Sequence, residues 1–316
     1  MLNNIKSKYL LEEIFNFIKH KKKLKIIKHN KIILSKLNIT VEDFKSYELL
    51  KIFRKKFKLN TININDFEIK KINIPNKNLE TIFFNELNNI KFKDLESLNL
   101  CLNNISNINS LKNAKFDTLK ILDLSTNKIN YISVLENVDF KMLEKLNLNG
   151  NKIDNIDVLK SVNFKELKFL NLGNNNIIDI TVLENVKFPK LEILDLHGNE
   201  IADIEILGKA KFNNLSELYL SRNKIIDINV FERTYFSKLK ELSLSYNQII
   251  DISVMGRVNF IKIKALYISH NKINDISVIK SIDFKELISF DLSFNDISRE
   301  QIKQFSHFKF IKLNSY

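Results

Sequence analysis

The side chains that could carry catalysis in this 316-residue chain are dispersed over a 24-residue period that keeps them apart. His197 and His270 stand three periods from one another, roughly 15 Å if each period contributes one strand. That is too far for a shared metal ion or for an acid and base acting on one atom. Asp123, Asp195 and Asp291 are equally dispersed, so no carboxylate dyad is indicated. Cys101, the single cysteine, has no histidine recurring near it to activate a thiolate, and reads as a surface thiol on an outward strand position. GxGxxG, GxxxxGK and GxSxG are absent. The expectation is a chain that is not an enzyme and holds no cofactor or metal.

Other side chains suit recognition. Through the column Asn99, Asp123, Asn147, Asn171, Asp195, Tyr219, Ser243, Tyr267 and Asp291, small polar residues give way to tyrosines. The column Leu102, Thr126, Gly150, Asn174, Gly198, Arg222, Tyr246, His270 and Phe294 changes in the same way. Tyr219, Arg222, Tyr246, Tyr267, His270 and Phe294, with Glu217 and Glu241 beside them, would converge from consecutive periods into one exposed patch. Tyrosine and arginine are overrepresented among residues that dominate interface energetics. Single surface aromatics are common and tyrosine suits strands, so it is the convergence that marks these residues as the expected partner site. Ile121, Phe169 and Ile193 are apolar at outward strand positions nearby.

The elements that must position this patch follow from the period. Asn103, Asn127, Asn151, Asn175, Asn199, Asn223, Asn247, Asn271 and Asn295 each sit in the frame LxxLxLxxNxIxxIxxLxxxxFxx, and a fixed period of this length signals a solenoid. In LxLxx, alternation sends Leu146 and Leu148 inward and Lys145, Asn147 and Asn149 outward. Each asparagine follows its strand, where its amide can both donate to and accept from neighbouring turns, so the column is structural. Phe92, Phe116, Phe140, Phe164, Phe188, Phe212, Phe236, Phe260 and Phe284 form a second column, expected to seal the convex side.

This frame resembles the leucine-rich repeat family, and NQIIDISVM (Asn247 to Met255) and NKINDISVI (Asn271 to Ile279) look like the internalin type of repeat, though with a longer period. The resemblance implies an α/β solenoid: a right-handed superhelix with a parallel sheet on its concave face and short helical turns outside. It also implies a non-enzymatic scaffold that takes a protein partner on the concave face. Residues 95–297 carry the 24-residue repeats. Residues 61–94 read as a degenerate first repeat and junction, in which Ile69, Ile72, Ile74, Leu79 and Ile82 fit the frame with Lys77 in the asparagine position and a 26-residue step to Leu95. Residues 298–316 read as a capping helix and tail. Ser298 and Gln301 have capping-box spacing before Ile302, Phe305 and Phe308. Ile311, 24 residues after Leu287, would open a last strand, Ile311 to Leu313. That exposed edge offers a route to self-association in a chain otherwise expected to be monomeric.

Residues 1–60 differ in character. They carry +11 of the chain's net charge of +13, and their apolar residues, among them Leu10, Leu11, Ile14, Phe15 and Ile18, fall at helical spacing. A basic helical head capping the solenoid is expected. The same residues are faintly similar to the first helix of an F-box, without the family's Leu-Pro opening; that resemblance implies a substrate adaptor docking on a ubiquitin-ligase scaffold. The leucine-rich repeat family also contains phosphatase regulators, but no motif here singles them out. Lys21, Lys22, Lys23, Lys25 and Lys28, and Arg54, Lys55, Lys56 and Lys58, have the charge to attract nucleic acid or anionic membrane, yet no nucleic-acid motif accompanies them and such runs are usually solvated helix faces. No secretory leader or membrane-length apolar run is apparent, and one cysteine cannot form an internal disulfide; an intracellular, cytoplasmic protein is expected.

Overall fold

The structure, a computed structural model, describes residues 71–75, 94–114, 116–305 and 311–313. The expectations for the head at 1–60, for most of the junction at 61–94, and for Lys77, Phe92 and Phe308 lie outside these residues.

Eleven short strands lie in one parallel sheet in strict sequence order: β1 (Lys71–Asn73), β2 (Ser97–Asn99), β3 (Ile121–Asp123), β4 (Lys145–Asn147), β5 (Phe169–Asn171), β6 (Ile193–Asp195), β7 (Glu217–Tyr219), β8 (Glu241–Ser243), β9 (Ala265–Tyr267), β10 (Ser289–Asp291) and β11 (Ile311–Lys312). From β2 to β10 each strand residue pairs with the residue 24 positions on, as in Leu146 with Leu170. The first step is longer, Ile72 pairing with Leu98, as the 26-residue spacing predicts. Strands β1 to β10 are only three residues each because the frame gives one inward residue between two outward positions before the chain turns. Opposite the sheet, a 3-10 turn closes each coil between β2 and β10, for example Asp157–Lys160 and Ser253–Gly256.

The core is one continuous column of leucine, isoleucine and phenylalanine in which every inward frame position from Leu95 to Ile279 is buried. Phe116, Phe140 and Phe164 stack with centroids 6.2 and 6.4 Å apart, as expected for a phenylalanine column on the outer arc. At the end, Phe284 and Leu287 are only partly buried.

The asparagines form a ladder with a repeated bonding pattern. Asn175 Nδ2 donates to Leu172 O of its own turn at 3.0 Å and to Leu148 O of the preceding turn at 3.1 Å, while its Oδ1 accepts from Ile153 N at 3.0 Å. Asn127 through Asn295 repeat this arrangement. Each amide thus satisfies three buried backbone groups and ties two turns together.

The carboxy-terminal end departs from the extrapolated frame. Ile311 pairs with Phe290, 21 residues earlier, not with the position 24 residues earlier. The cause is the connection itself. Helix α1 (Arg299–Phe305) replaces the 3-10 turn and drives Phe305 into the open end of the core, where it is 1% exposed. The expected capping box forms by half: Gln301 N donates to Ser298 Oγ at 3.2 Å, but the Gln301 amide reaches Asp275 Oδ1 at 3.0 Å and does not return to Ser298.

Candidate partner-binding surface

The two outward columns differ in kind, which the sequence pattern did not separate. The first is the last residue of each strand, and its polar members are working parts of the turn. Asn99, Asp123, Asn147, Asn171, Asp195 and Asp291 each accept through Oδ1 the N–H two residues on, at 2.9 to 3.2 Å. This Asx turn reverses the chain at the strand end. The dispersed aspartates considered for catalysis are therefore turn caps. Tyr219 and Tyr267 replace them where no such oxygen exists, so the fold does not call for tyrosine there.

The second column lies beyond the strands, in the turn, and every member is left-handed: φ runs from 49° at Asn174 to 66° at Gly150, with Arg222 at 55°, Tyr246 at 59°, His270 at 54° and Phe294 at 56°. Glycine and asparagine suit this conformation; bulky side chains are uncommon in it. Cys101, expected within a strand, also lies in this turn, partly buried, and burial raises its thiol above the ordinary value. That argues further against a nucleophile.

The predicted patch therefore resolves into two adjoining groups. Along the turn edge, Arg222, Tyr246, His270 and Phe294 form one stack. The guanidinium sits 4.3 Å from the Tyr246 centroid, Tyr246 and His270 are 4.0 Å apart at 11°, and His270 and Phe294 are 4.3 Å apart at 15°. Four successive turns present the same position one rung apart, which brings planar side chains to stacking distance. Tyr246 remains 43% exposed.

On the sheet, Glu217 and Glu241 are register partners on β7 and β8, and Tyr219 Oη donates to Glu217 Oε2 at 2.8 Å. Burial pushes the Tyr219 hydroxyl well above its usual range, with the hydrogen bond to Glu217 and the charges of Glu241 and Glu217 acting in the same direction. Burial also raises Glu241, as does the charge of Glu217, partly opposed by the hydrogen bond with Tyr219. Tyr267 is raised by burial and by Glu241 and Asp291. Like charges directly opposite on neighbouring strands work against the sheet. Ile121, Phe169 and Ile193 continue the outward face across β3, β5 and β6, with Ile121 the most exposed of the three.

His197, on a different rung from His270, has a structural role. Its Nδ1 lies 2.6 Å from Asp195 Oδ1 and its Nε2 lies 2.6 Å from Asn174 Nδ2, a pairing that suits a ring with its hydrogen on Nδ1. The ring occupies the space over Gly173 that a Cβ there would need. Among the described residues no group of three or more potential metal ligands occurs, and no helix is long and apolar enough to cross a membrane.

Parallel three-residue strands in sequence order, an asparagine ladder behind them and 3-10 turns on the outer arc define a single class of repeat solenoid. The repeats match the family model described as Leucine Rich repeats (2 copies) over residues 141–185, 189–233 and 237–281. No curated protein matches the chain by sequence. Among solved structures it is similar to an internalin, InlF, from Listeria monocytogenes, with 22% identity and a TM-score of 0.52 over 85% of this chain and 90% of that one. It is also similar to the functional domain of InlJ from Listeria monocytogenes, at 22% identity and 0.55 over 77% and 48%. A third similarity is to the plant peptide hormone receptor RGFR1 in complex with RGF2, at 22% identity and 0.54 over 72% and 36%. At these identities the likeness is one of fold. The matched segments are leucine-rich repeats, and the described residues form a leucine-rich-repeat solenoid.

Proposed function

We propose that this solenoid is a non-enzymatic scaffold that takes a protein partner on the carboxy-terminal half of its concave face, from β7 to β10 and along the adjoining turn edge. Arg222, Tyr246, His270 and Phe294 would supply the stacked contact strip, and Tyr219, Tyr267, Glu217 and Glu241 the neighbouring floor. The observation that carries this reading is the stack itself. Planar residues occupy left-handed positions in four consecutive turns and stack on one another, where the three preceding turns use Gly150, Asn174 and Gly198 and the first two use Leu102 and Thr126, and backbone strain of this kind is retained where a surface has a use for it. Elsewhere in the family fold, RGFR1 is seen with the peptide RGF2 bound, which supports a polypeptide as the ligand class.

The test captures partners from native lysate on the tagged full-length chain and on the Tyr246→Ala/Tyr267→Ala variant, with far-UV circular dichroism to establish that the variant is folded. The expected result is at least one specific partner lost from the folded variant. Full retention of every partner by that variant would remove the assignment.

A further inference from the structure

A second surface runs along the edge of the solenoid just after the asparagine ladder. Ile178, Ile226 and Ile250 are 66%, 56% and 49% exposed, and with exposed Ala202 they occupy one frame position on four successive rungs. The backbone does not require an apolar residue there, since Asn130, Asp154 and Asn274 hold the same position on other rungs. Contiguous exposed apolar surface rimmed by polar groups marks interaction sites.

The rim is acidic. Asp179, Asp203, Asp227, Asp251 and Asp275 follow at the next position on successive rungs and cap the 3-10 turns, each Oδ1 accepting a backbone N–H at 2.7 or 2.8 Å. Capping alone does not need their charge: Asn107 and Asn155 do the same on earlier rungs at 2.8 Å. Three cations of this edge are engaged elsewhere, Lys224 with Glu200, Arg233 with Glu205 and Arg257 with Glu232, while Lys209 lines the groove beside Ala202 and Asp203. Among the described residues none of the five aspartates pairs with a lysine or arginine. Grooves between rungs adjoin the strip, one of about 550 Å³ lined by Ile178, Ala202 and Asp203 and another of about 240 Å³ lined by Ile250, Asp251 and Asp275.

The spacing selects the occupant. Rungs repeat about every 4.8 Å at the sheet and 6.2 to 6.4 Å at the phenylalanine column of the outer arc; the edge runs between the two, and an α-helix advances about 5.4 Å per turn, so a helix laid along the edge offers one turn to each rung. We propose that this edge docks an amphipathic α-helix of a partner protein, with apolar residues at i, i+4, i+7 and i+11 over Ile178, Ala202, Ile226 and Ile250 and a lysine or arginine stripe beside them over the aspartates. The charge complementarity fixes which side of the helix is basic and hence its direction along the edge. This surface is separate from the concave patch and does not depend on it.

Fluorescence anisotropy with the full-length protein tests the assignment. The probe is a labelled synthetic helix with leucine at those four positions and lysine alongside, compared with a peptide of the same composition whose leucines are scrambled off one face. The patterned peptide should bind at least about tenfold tighter than the scrambled one, and Ile226→Asp should weaken it about tenfold, equivalent to loss of one buried apolar contact. Asp203→Asn with Asp227→Asn keeps both turn caps, so the protein should melt as before while affinity falls and loses most of its salt dependence. Ile261→Asp, an exposed isoleucine off the strip, should leave binding unchanged. Equal binding of the scrambled peptide, or equal loss from Ile226→Asp and Ile261→Asp, would overturn the proposal.

Discussion

Tyr246 offers a direct measure of what the stack costs the fold. Its φ of 59° places a large side chain where an L-residue is disfavoured by about 1–2 kcal/mol relative to glycine. Against that stand the Arg222 guanidinium 4.3 Å above its ring and the His270 ring 4.0 Å below, contributing about 0.5–1 and 0.5–1.5 kcal/mol at a half-exposed site. Tyr246→Ala discards both contacts and keeps the strained backbone, so it should cost about 1–2 kcal/mol. Tyr246→Gly discards the same contacts but relieves the strain, so it should be more stable than the alanine variant by about 1 kcal/mol and close to the native protein. Urea unfolding followed by far-UV circular dichroism, with equal m-values required for comparison, resolves that difference. Partner binding should be lost in both variants. An alanine variant as stable as the glycine variant would refute the strain argument, and with it the inference that the fold tolerates this residue only for its surface.

Three further outcomes follow from the same geometry. Asn175→Ala leaves Ile153 N without its partner, while Leu148 O and Leu172 O each lose one of two amide donors and keep Asn151 and Asn199, and it should cost about 1–3 kcal/mol by denaturant unfolding, the range for one orphaned buried group; a loss under about 0.5 kcal/mol would show that the ladder is incidental. Because the folded pKa of Glu241 is raised, the folded state holds its proton longer than the unfolded state, and stability falls as pH rises from the ordinary glutamate range through that higher value. Glu241→Gln should accordingly be more stable than the native chain at pH 7 and equal to it below about pH 4, with an NMR titration of Glu241 shifting down in Glu217→Gln as the check. Asp179 and Asp275 run the other way: backbone hydrogen bonds from Thr181 and Ser277 hold both carboxyls below the usual range, so their contribution is present above the ordinary aspartate value and lost as pH falls through the folded one, and Asp179→Asn should flatten the acid limb of the unfolding profile.

The solenoid was legible because its core is a one-dimensional code. A residue buried in every turn must recur in every period, so the leucine, asparagine and phenylalanine columns declare themselves by type and spacing alone. The exceptions arise where a turn meets no following copy of itself. Ile311 fits the 24-residue frame on paper, yet α1 shortens the last step to 21 residues by placing Phe305 across the core end, and nothing in the period encodes that choice. Backbone handedness was hidden for a different reason. Arg222, Tyr246, His270 and Phe294 do not look like left-handed residues, and only Gly150, Gly198 and Asn174 in the same column signal that conformation. The capping role of Asp123, Asp195 and Asp291 could have been read from their alternation with Asn99, Asn147 and Asn171, because the two types share the side-chain oxygen that an Asx turn needs.

These columns separate what the fold demands from what it permits. Inward leucines and the ladder asparagines admit little change, since each is buried and bonded in every turn. The strand-end oxygen is a weaker demand, relaxed at Tyr219, Ser243 and Tyr267 without loss of the register between β7, β8 and β9. The left-handed turn position demands only a conformation, and the position after the ladder demands almost nothing, carrying asparagine, aspartate, alanine and isoleucine in turn. Aromatic and cationic residues accumulate in the first of these permissive columns over β7 to β10, and isoleucines in the second over the rungs from Ile178 to Ile250. In a solenoid stabilised by nearest-neighbour contacts, such runs are not needed for propagation of the core, so their extent along the axis sets the length of the ligand each surface would receive.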